Sequence, residues 1–326
     1  MSRRTVLLVA ALALACAGPV TRKRAALLMD TFVTVTVIAP RDRADRALDA
    51  VFARLDEISR KFNHLDSTSP VYAFNTRGEP IVDIEVVSVL KVVVEMSALS
   101  GGAFDVTVEP LVRLWGFYGD SPAVPSRFAV ESCLQFVGYH NLVVESTRVT
   151  KTDSRTRVDL GGIAKGYALS EAARVLRSFG VQSALVDAGG DIYAVGAKGE
   201  RDWMVGIRRP RGEGIAGVVT VRDGAVVTSG DYERYFFGPD SVRYCHIIDP
   251  RTGRPAQGII STTVRARDPV TGQALAKALF ILGPERFGAL GLPVDVEWLA
   301  IDESLSFRAS PNLELTGVEP AFVDSH

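Results

Sequence analysis

The stretch VDLGGIAKGYA, residues 158–168, combines an apolar strand end, a glycine turn and a helix start. The backbone N–H groups of such a turn point outward with no side chain in the way, which is one way to hold a phosphate. Taken alone, a pair of glycines is more often only a tight turn between a strand and a helix. A second glycine segment, SGGAFD at residues 100–105, and the run HIIDP at residues 246–250 together favour a nucleotide site.

The overall composition is that of an ordinary globular protein. The chain has 326 residues, of which 47 % are hydrophobic and 23 % charged, which is enough for one large domain or two medium ones. Its formal net charge is −1, and acidic and basic residues are interspersed along it. A protein that binds nucleic acid normally presents a basic face, so we expect no nucleic-acid partner.

The N-terminus has the pattern of a secretory signal. Two arginines precede an apolar run over residues 5–15, which is too short to remain as a membrane span. Cys16 directly follows this run, which predicts a lipoprotein signal over residues 1–15, with Cys16 lipidated and the protein anchored to a membrane. The alternative is ordinary cleavage after the Ala-Leu-Ala that ends the run. Either route places the mature protein on the periplasmic or cell-surface side.

The remaining sequence, residues 16–326, favours a single compact α+β domain. Alternating apolar and hydroxyl residues predict a strand over Thr31–Ile38, and apolar residues at helical spacing predict helices over Ala44–Phe62 and Ile163–Phe179. Short strands at hairpin spacing follow in the second half of the chain. This order favours mixed and antiparallel sheets with flanking helices over a doubly wound parallel sheet.

Several shorter segments carry local predictions. The polar stretch Asp66–Asn75 indicates a loop, and Ser132–Tyr139 indicates a short helix. Asn141–Val149 and Arg157–Leu160 have the spacing of a hairpin. Gln273–Leu282 is predicted as a helix that ends at the following Gly-Pro pair.

The cysteines and histidines of the chain do not form a structural framework. Besides Cys16, only Cys133 and Cys245 are present, so one bridge between them is possible but the core must hold the fold together. No Cys-x-x-Cys or His-rich pattern indicates a structural zinc site.

His246 is the candidate general base. It lies at a predicted strand end, before Asp249 and a glycine turn, where a histidine can take up a proton or bind a phosphate. The alternative is a turn-capping histidine hydrogen-bonded to Asp249. The segment TSGDYE, residues 228–233, also has two interpretations: a site for a ribose or a metal ion, or an ordinary hairpin turn.

Three aspartates, Asp159, Asp187 and Asp191, lie at predicted strand ends beside glycines. Carboxylates in that position can bind Mg²⁺ or hydroxyl groups, or they can cap turns. The pattern GxxxxGK[ST] is absent, which excludes a Walker NTPase on motif evidence. GxGxxG occurs at residues 212–217, but a strand is predicted from Gly217 onward where a Rossmann fingerprint needs a helix, so it does not indicate a Rossmann dehydrogenase.

A series of motifs runs in order along nearly the whole mature chain. It starts at Met29-Asp30-Thr31 and continues through SGGAFD, Pro110-Leu111, Leu114-Trp115-Gly116-Phe117, VDLGGIAKGYA, DAGGDIYAVG, SGDYERYF, HIIDPRTGRPA and ALFILG. In these motifs the chain resembles the ApbE family of FAD:protein FMN transferases, which are periplasmic flavin-trafficking lipoproteins. So many ordered matches make chance agreement very improbable.

The resemblance implies both a fold and an activity. FAD would bind in a cleft between two sub-lobes of one α+β domain, with Mg²⁺ on its pyrophosphate. A threonine hydroxyl of an extracytoplasmic redox protein would attack the FMN-side phosphorus, which leaves FMN attached through a phosphoester and releases AMP. FAD and a flavin-acceptor protein are therefore the implied partners.

The resemblance also implies roles for individual residues. His246 would help to deprotonate the target hydroxyl, and the carbonyl of Ala164 would be a metal ligand together with residues 273 and 277. The implied cofactor-binding residues are Met29, Ala103, Phe104, Asp105, Gly161, Lys165, Tyr167 and Ile248.

The chain departs from the family pattern at the implied metal site. Where the family carries an aspartate and a threonine as Mg²⁺ ligands, this chain has Gln273 and Lys277, one helical turn apart. An amide and an ammonium do not hold Mg²⁺ as a carboxylate and a hydroxyl do, but the Lys277 charge could pair with a pyrophosphate directly. A second departure is Leu65, where many members carry a tyrosine near the flavin.

Three functions therefore stay open at the level of sequence. The first is an FMN transferase, which the intact glycine segments, Asp105 and His246 favour. The second is an FAD-binding lipoprotein that has lost catalysis, which Gln273 and Lys277 favour. The third is an FAD pyrophosphatase that yields FMN and AMP, which needs the same metal ion.

Overall fold

The structure, a computed structural model, describes residues 18–317, so the predicted signal segment and Cys16 lie outside the described residues. This part of the chain contains seven α-helices and sixteen β-strands. The helices are α1 (Arg41–Lys61), α2 (Pro70–Arg77), α3 (Ile84–Leu99), α4 (Glu109–Leu114), α5 (Arg127–Leu134), α6 (Ala164–Ser178) and α7 (Pro269–Gly288). The strands are β1 (Val20–Leu28), β2 (Thr31–Ala39), β3 (Leu142–Val144), β4 (Val149–Lys151), β5 (Ser183–Ala188), β6 (Asp191–Gly196), β7 (Trp203–Arg208), β8 (Ile215–Val221), β9 (Gly224–Gly230), β10 (Tyr235–Phe237), β11 (Arg243–Cys245), β12 (Ile248–Asp249), β13 (Arg254–Pro255), β14 (Ile259–Ala266), β15 (Glu297–Asp302) and β16 (Phe307–Ala309).

The centre of the fold is an eight-stranded antiparallel sheet with the strand order β1-β2-β5-β6-β9-β14-β15-β16. In β2 the alternation seen in the sequence places Val33, Val35 and Val37 on one fully buried face. Helices α1, α6 and α7 pack on that face and α3 packs against α7, so their apolar residues and the valines form the main core. The β7–β8 hairpin covers part of the other face through Trp203 and Val205. The predicted α+β class with antiparallel pairing is confirmed.

A smaller apolar cluster lies beside the sheet. It joins α4 and α5 to the strands β11 and β12 through Leu111, Trp115, Val130 and Tyr244. The indole N–H of Trp115 donates a hydrogen bond of 2.9 Å to the carbonyl of Gly253, which ties the helical part of this cluster to the turn before β13. This cluster is a second lobe next to the main core, and an FAD cleft between the two stays a prediction.

Two helices differ from the sequence-based prediction because their caps outweigh the polar composition around them. Helix α2 begins inside the segment predicted as a loop and extends two residues beyond it, since the Ser69 hydroxyl accepts a hydrogen bond from the N–H of Tyr72 and Pro70 occupies the first turn. Helix α5 begins five residues before the predicted Ser132–Tyr139 helix, because Ser126 caps it in the same way.

The predicted pairing of Arg157–Leu160 as a strand is wrong. The hairpin is formed by β3 and β4 instead. The backbone of Val158 is held by one side chain, because the Asn75 amide donates to the Val158 carbonyl at 2.8 Å and accepts from its N–H at 2.9 Å. The buried amide thus replaces a strand partner.

Two further points concern the ends of the sheet and α7. Gly283 has φ 75° and ψ 164°, which are not helical, so the first segment of α7 ends at the Gly-Pro pair as predicted and a second segment runs on to Gly288. Strand β1 has no apolar alternation that would predict it; its Arg22 and Arg24 pair with Asp45 and Asp49 on α1.

The cysteine bridge that the sequence left open is absent, since Cys133 and Cys245 are both free and buried. In residues 18–317 no helix has the length and apolar run needed to cross a bilayer.

Candidate active site

A buried polar network lies where α6 meets α7, at the start of β6. Asp191 is 1 % exposed, and its Oδ2 atom accepts hydrogen bonds from Gln273 Nε2 at 2.7 Å and from Lys165 Nζ at 2.8 Å. Its other oxygen accepts from the N–H of Thr228 at 3.1 Å. Gln273 is fully buried, and its Oε1 atom accepts from the N–H of Gly166 at 2.7 Å. Both polar atoms of the Gln273 amide are therefore occupied by the protein itself.

Gly166 lets the two helices approach this closely. A Cβ atom at this position would lie 2.6 Å from the carbonyl oxygen of Pro269 and 3.0 Å from Gln273 Oε1. The last glycine of the GGIAKG segment is thus required for packing α6 against α7 and for placing Lys165 beside Asp191.

Lys277 lies one turn after Gln273 on α7 and reaches over the glycine turn. A Cβ atom on Gly162 would lie 3.1 Å from Lys277 Cε and 3.9 Å from its Nζ. The Lys277 ammonium has no hydrogen-bond or ion-pair partner in the described part of the chain. Burial lowers the pKa of Lys277 to about 8, although the Asp191 charge opposes the shift.

His246 follows β11 and is held by the carbonyl of Arg234. That oxygen accepts the His246 N–H at 3.0 Å and lies 3.2 Å from the ring atom Nδ1. The alternative of a turn cap on Asp249 is not formed; the Asp249 carboxylate accepts instead from Arg251 at 2.8 and 2.9 Å. Since a carbonyl only accepts, Nδ1 carries the ring proton and the Nε2 lone pair is left to take up another.

The charge state of His246 follows from its surroundings. Burial is the main cause that lowers its pKa to about 4, and the cations Lys277, Arg234 and Lys165 act in the same direction. The imidazole is therefore neutral at pH 7, which is the form that a general base needs.

The glycine turn itself is fixed by Asp159. One oxygen of this carboxylate accepts the N–H of Gly161 at 2.7 Å, and the other accepts the Tyr118 hydroxyl at 2.6 Å. His64 lies 3.5 Å from the same carboxylate through Nδ1, and its ring is 4.8 Å from that of Tyr118. The sequence analysis missed His64 and Tyr118, because neither lies in a glycine segment and the three residues are far apart in the chain.

Asp105 has a structural role that the sequence did not predict. Its carboxylate accepts the N–H and the hydroxyl of Thr107 at 2.8 and 2.7 Å and the N–H of Tyr139 at 2.5 Å. Burial raises the pKa of Asp105, against these hydrogen bonds. The preceding residues Ala103 and Phe104 are buried, and Phe104 belongs to the main core.

The remaining predicted cofactor residues are spread around the network. Tyr167 stacks on Phe62 at 5.1 Å and donates its hydroxyl to Glu85, which also pairs with Arg54 and Lys61. Ile248 is buried beneath the second lobe.

Met29 has φ 52° in the turn between β1 and β2. The next residue, Asp30, lies 3.7 Å from Arg234, the residue whose carbonyl holds His246. The contact of Met29, Ile248 and Tyr167 with a flavin stays a prediction.

The residues at the implied Mg²⁺ position do not fit a divalent cation. Ala164 starts α6, but the amide of Gln273 is fully hydrogen-bonded to the protein and Lys277 brings a positive charge. Across residues 18–317 no group of three or more His, Cys, Asp or Glu side chains is arranged to hold a metal ion. Asp231 of the TSGDYE segment is paired with Arg211 through two contacts of 2.8 and 2.6 Å.

A polar cavity of about 420 Å³ lies next to the His246 segment, and it is lined by Arg211, Asp231, Arg243, Cys245 and Glu303 among others. Apart from Asp231 of the TSGDYE segment, none of the predicted site residues lines it. Burial raises the pKa of the Cys245 thiol to about 12, so this cysteine is not a nucleophile at neutral pH.

Comparison with known proteins assigns the family. The sequence profile of the ApbE family matches residues 29–292. The chain belongs to the ApbE family. It is 35 % identical over 243 residues to the FAD:protein FMN transferase of Vibrio cholerae, covering 71 % of this chain and 72 % of that protein.

Other relatives agree with this assignment. The FAD:protein FMN transferase of Treponema pallidum is 35 % identical over 291 residues, covering 82 % of this chain and 80 % of that protein. The crystal structure of the ApbE protein of Thermotoga maritima superposes with a TM-score of 0.83 at 36 % identity, covering 89 % of this chain and 97 % of that chain.

Proposed function

We propose that the protein is a FAD:protein FMN transferase. The observation that carries the proposal is the His246 ring, whose Nδ1 is held by the Arg234 carbonyl so that the Nε2 lone pair is available, in an ApbE-family chain whose glycine turn lies against Lys277. The relatives compared above carry the name FAD:protein FMN transferase. Neither a lipoprotein that only binds FAD nor a pyrophosphatase finds support among them.

The reaction follows from these residues. His246 Nε2 accepts the proton of an acceptor threonine hydroxyl, and the freed oxygen forms a bond to the FMN-side phosphorus. The bond from that phosphorus to the bridging oxygen breaks, and AMP leaves with the oxygen and its charge. Positive charge at Lys277 stabilises the pyrophosphate and the charge that develops as AMP departs.

We propose that the substrate FAD extends from the glycine turn toward both lobes. Gly161, Lys165 and Tyr167 belong to the α6 end of such a site, and His246 and Ile248 belong to the second lobe. Met29 and the segment Ala103–Asp105 would line the flavin and adenine ends, as the family resemblance implies. The acceptor is a flavin-carrying redox protein with an accessible threonine.

The N-terminal pattern supports a location outside the cytoplasm. We propose that residues 1–15 are a lipoprotein signal and that Cys16 is lipidated, which would attach the transferase to a membrane on the side where its acceptor is exported. Incorporation of radiolabelled palmitate into the wild type but not into a Cys16→Ala variant is the expected result. Equal labelling of the two would contradict lipidation at Cys16.

The transferase activity is tested with FAD and an acceptor protein that carries a flavinylation threonine. Mass spectrometry should find one FMN added to the acceptor through that threonine, with one AMP released for each FMN attached. Free FMN and AMP without attachment would instead mean a pyrophosphatase. FAD binding with neither product, in the presence and absence of Mg²⁺, would mean a binding protein.

A further inference from the structure

The side chains at positions 273 and 277 of α7 have different roles. Gln273 is fully buried and bridges the Asp191 carboxylate and the Gly166 N–H, so it holds α6 against α7 rather than facing a ligand. Lys277, one turn later, is only partly buried and passes over Gly162. Of the two, only Lys277 has a polar group that is left for a bound molecule.

The acidic groups nearest Lys277 are already paired with other residues. The Asp191 carboxylate accepts from three donors, the Lys165 ammonium at 2.8 Å, the Gln273 amide and the Thr228 N–H. The Asp159 carboxylate accepts from the Gly161 N–H and the Tyr118 hydroxyl. A partly buried ammonium without a partner costs free energy, and its lowered pKa has the same cause. The protein therefore keeps a cation at this point that gains a partner only when an anion arrives.

The place of this cation is suited to a phosphate. Lys277 lies close against the glycine turn, since a Cβ atom on Gly162 would lie 3.1 Å from Lys277 Cε. Helix α6 begins two residues later, and Ile163 at its N-cap offers no side-chain hydrogen bond. The partial positive charge of the helix start thus adds to the ammonium at the same end of α6.

We infer that Lys277 is the fixed cation for the pyrophosphate of FAD and stands in place of a divalent metal ion. This inference rests on the proposed function for the identity of the ligand. A lysine ammonium can donate to phosphate oxygens as a compact charge, and no chelator removes it. The chain should therefore bind FAD, and transfer FMN, without Mg²⁺.

The binding test compares FAD and riboflavin by calorimetry in EDTA. Riboflavin lacks the pyrophosphate, so it reports the integrity of the flavin site. In Lys277→Met the affinity for FAD should fall about 10- to 100-fold, the range for loss of one charged hydrogen bond, while that for riboflavin stays within about threefold. Lys91→Met is the matched control, because the Lys91 ammonium donates only to the carbonyl of Ser146, and it should change neither affinity.

The metal test uses the same proteins. Wild-type FAD affinity and FMN transfer should be the same within about threefold in EDTA and in millimolar Mg²⁺. Lys277→Thr keeps the Gln273 contacts to Asp191 and Gly166 but removes the charge, so it should bind FAD weakly in EDTA. Lys277→Arg keeps the charge and should retain most of the EDTA affinity.

Three outcomes would overturn the inference: FAD affinity that needs Mg²⁺ in the wild type, a Lys277→Met protein that binds FAD normally, or parallel losses of FAD and riboflavin binding. Failure of the proposed function looks different. In that case no FMN reaches an acceptor under any condition, while the dependence of FAD affinity on Lys277 is measured independently.

Discussion

Replacement of Gln273 by leucine tests the network that joins α6 to α7. Leucine has a similar volume, so the change removes polar contacts without opening a large cavity. The structure assigns two losses to it. The buried N–H of Gly166 is left without an acceptor, and the Asp191 carboxylate loses the nearer of its two hydrogen bonds from neutral donors, at 2.7 Å against 3.1 Å from Thr228.

The two losses set the expected magnitude. An unsatisfied buried amide costs about 1–3 kcal/mol, and a hydrogen bond to a charged group is worth about 1.5–3 kcal/mol. Burial of the apolar leucine side chain returns about 1–2 kcal/mol. With the middle of each range, the free energy of unfolding should thus fall by about 3 kcal/mol, a large part of the 5–15 kcal/mol typical of a domain.

The assay is urea unfolding followed by circular dichroism, with the slope of the transition compared between variants. Gln257→Leu is the control, because Gln257 is exposed and makes one hydrogen bond of 3.0 Å to the Arg243 carbonyl. That change should alter stability by no more than about 0.5 kcal/mol. If Gln273→Leu costs less than about 1 kcal/mol at an unchanged slope, the two hydrogen bonds do not stabilise the helix pair as argued.

Three further predictions concern the site. His246→Asn keeps a donor for the Arg234 carbonyl but removes Nε2. The rate of FMN transfer should therefore fall about 10²–10⁴-fold, while the FAD affinity measured by calorimetry changes little. An unchanged transfer rate would mean that His246 takes no part in the reaction. In the free protein the His246 ring should stay neutral until about pH 4 in an NMR titration. Because an unfolded histidine takes up its proton near pH 6.5, the free energy of unfolding should fall as the pH drops from 6.5 to 4, with a smaller slope in His246→Asn. A His246 midpoint near pH 6.5 would contradict the assigned environment. In Asp105→Asn the new NH₂ group points at the N–H of Thr107 or of Tyr139, which then loses its acceptor. The unfolding free energy should fall by about 1–3 kcal/mol in the same urea assay. A thermal midpoint equal to the wild type would mean that the carboxylate does not hold these turns.

The elements that could be predicted from sequence are those set by local apolar periodicity. The alternation of Thr31–Ile38 gave β2 its buried valine face, and helical spacing placed α1 and α6 to within a few residues. Helix α2 was missed although its signal was local, since Ser69 and Pro70 form a helix start that outweighs the polar residues nearby. In contrast, Val158 could not be placed from local sequence, because its partner Asn75 is 83 residues away.

The same distinction applies to the candidate site. The motifs shared with the ApbE family were enough to single out His246, Lys165 and the departures at Gln273 and Lys277. It gave no means to see that Gln273 is occupied by Asp191 and Gly166, which only the packing of α6 on α7 brings together. The missed pair His64 and Tyr118 meets Asp159 for the same reason, through side chains contributed by three separate segments.

We propose that Lys277 takes the place of a divalent metal ion on the pyrophosphate of FAD. A crystal structure of the protein with FAD, grown in Mn²⁺ and measured near the manganese absorption edge, tests it most directly. We expect a pyrophosphate oxygen about 2.7–2.9 Å from Lys277 Nζ, beside Gly162, with no anomalous peak between the pyrophosphate and residues 164, 273 and 277. A manganese peak bound there to the pyrophosphate, with Lys277 turned away, would contradict the claim.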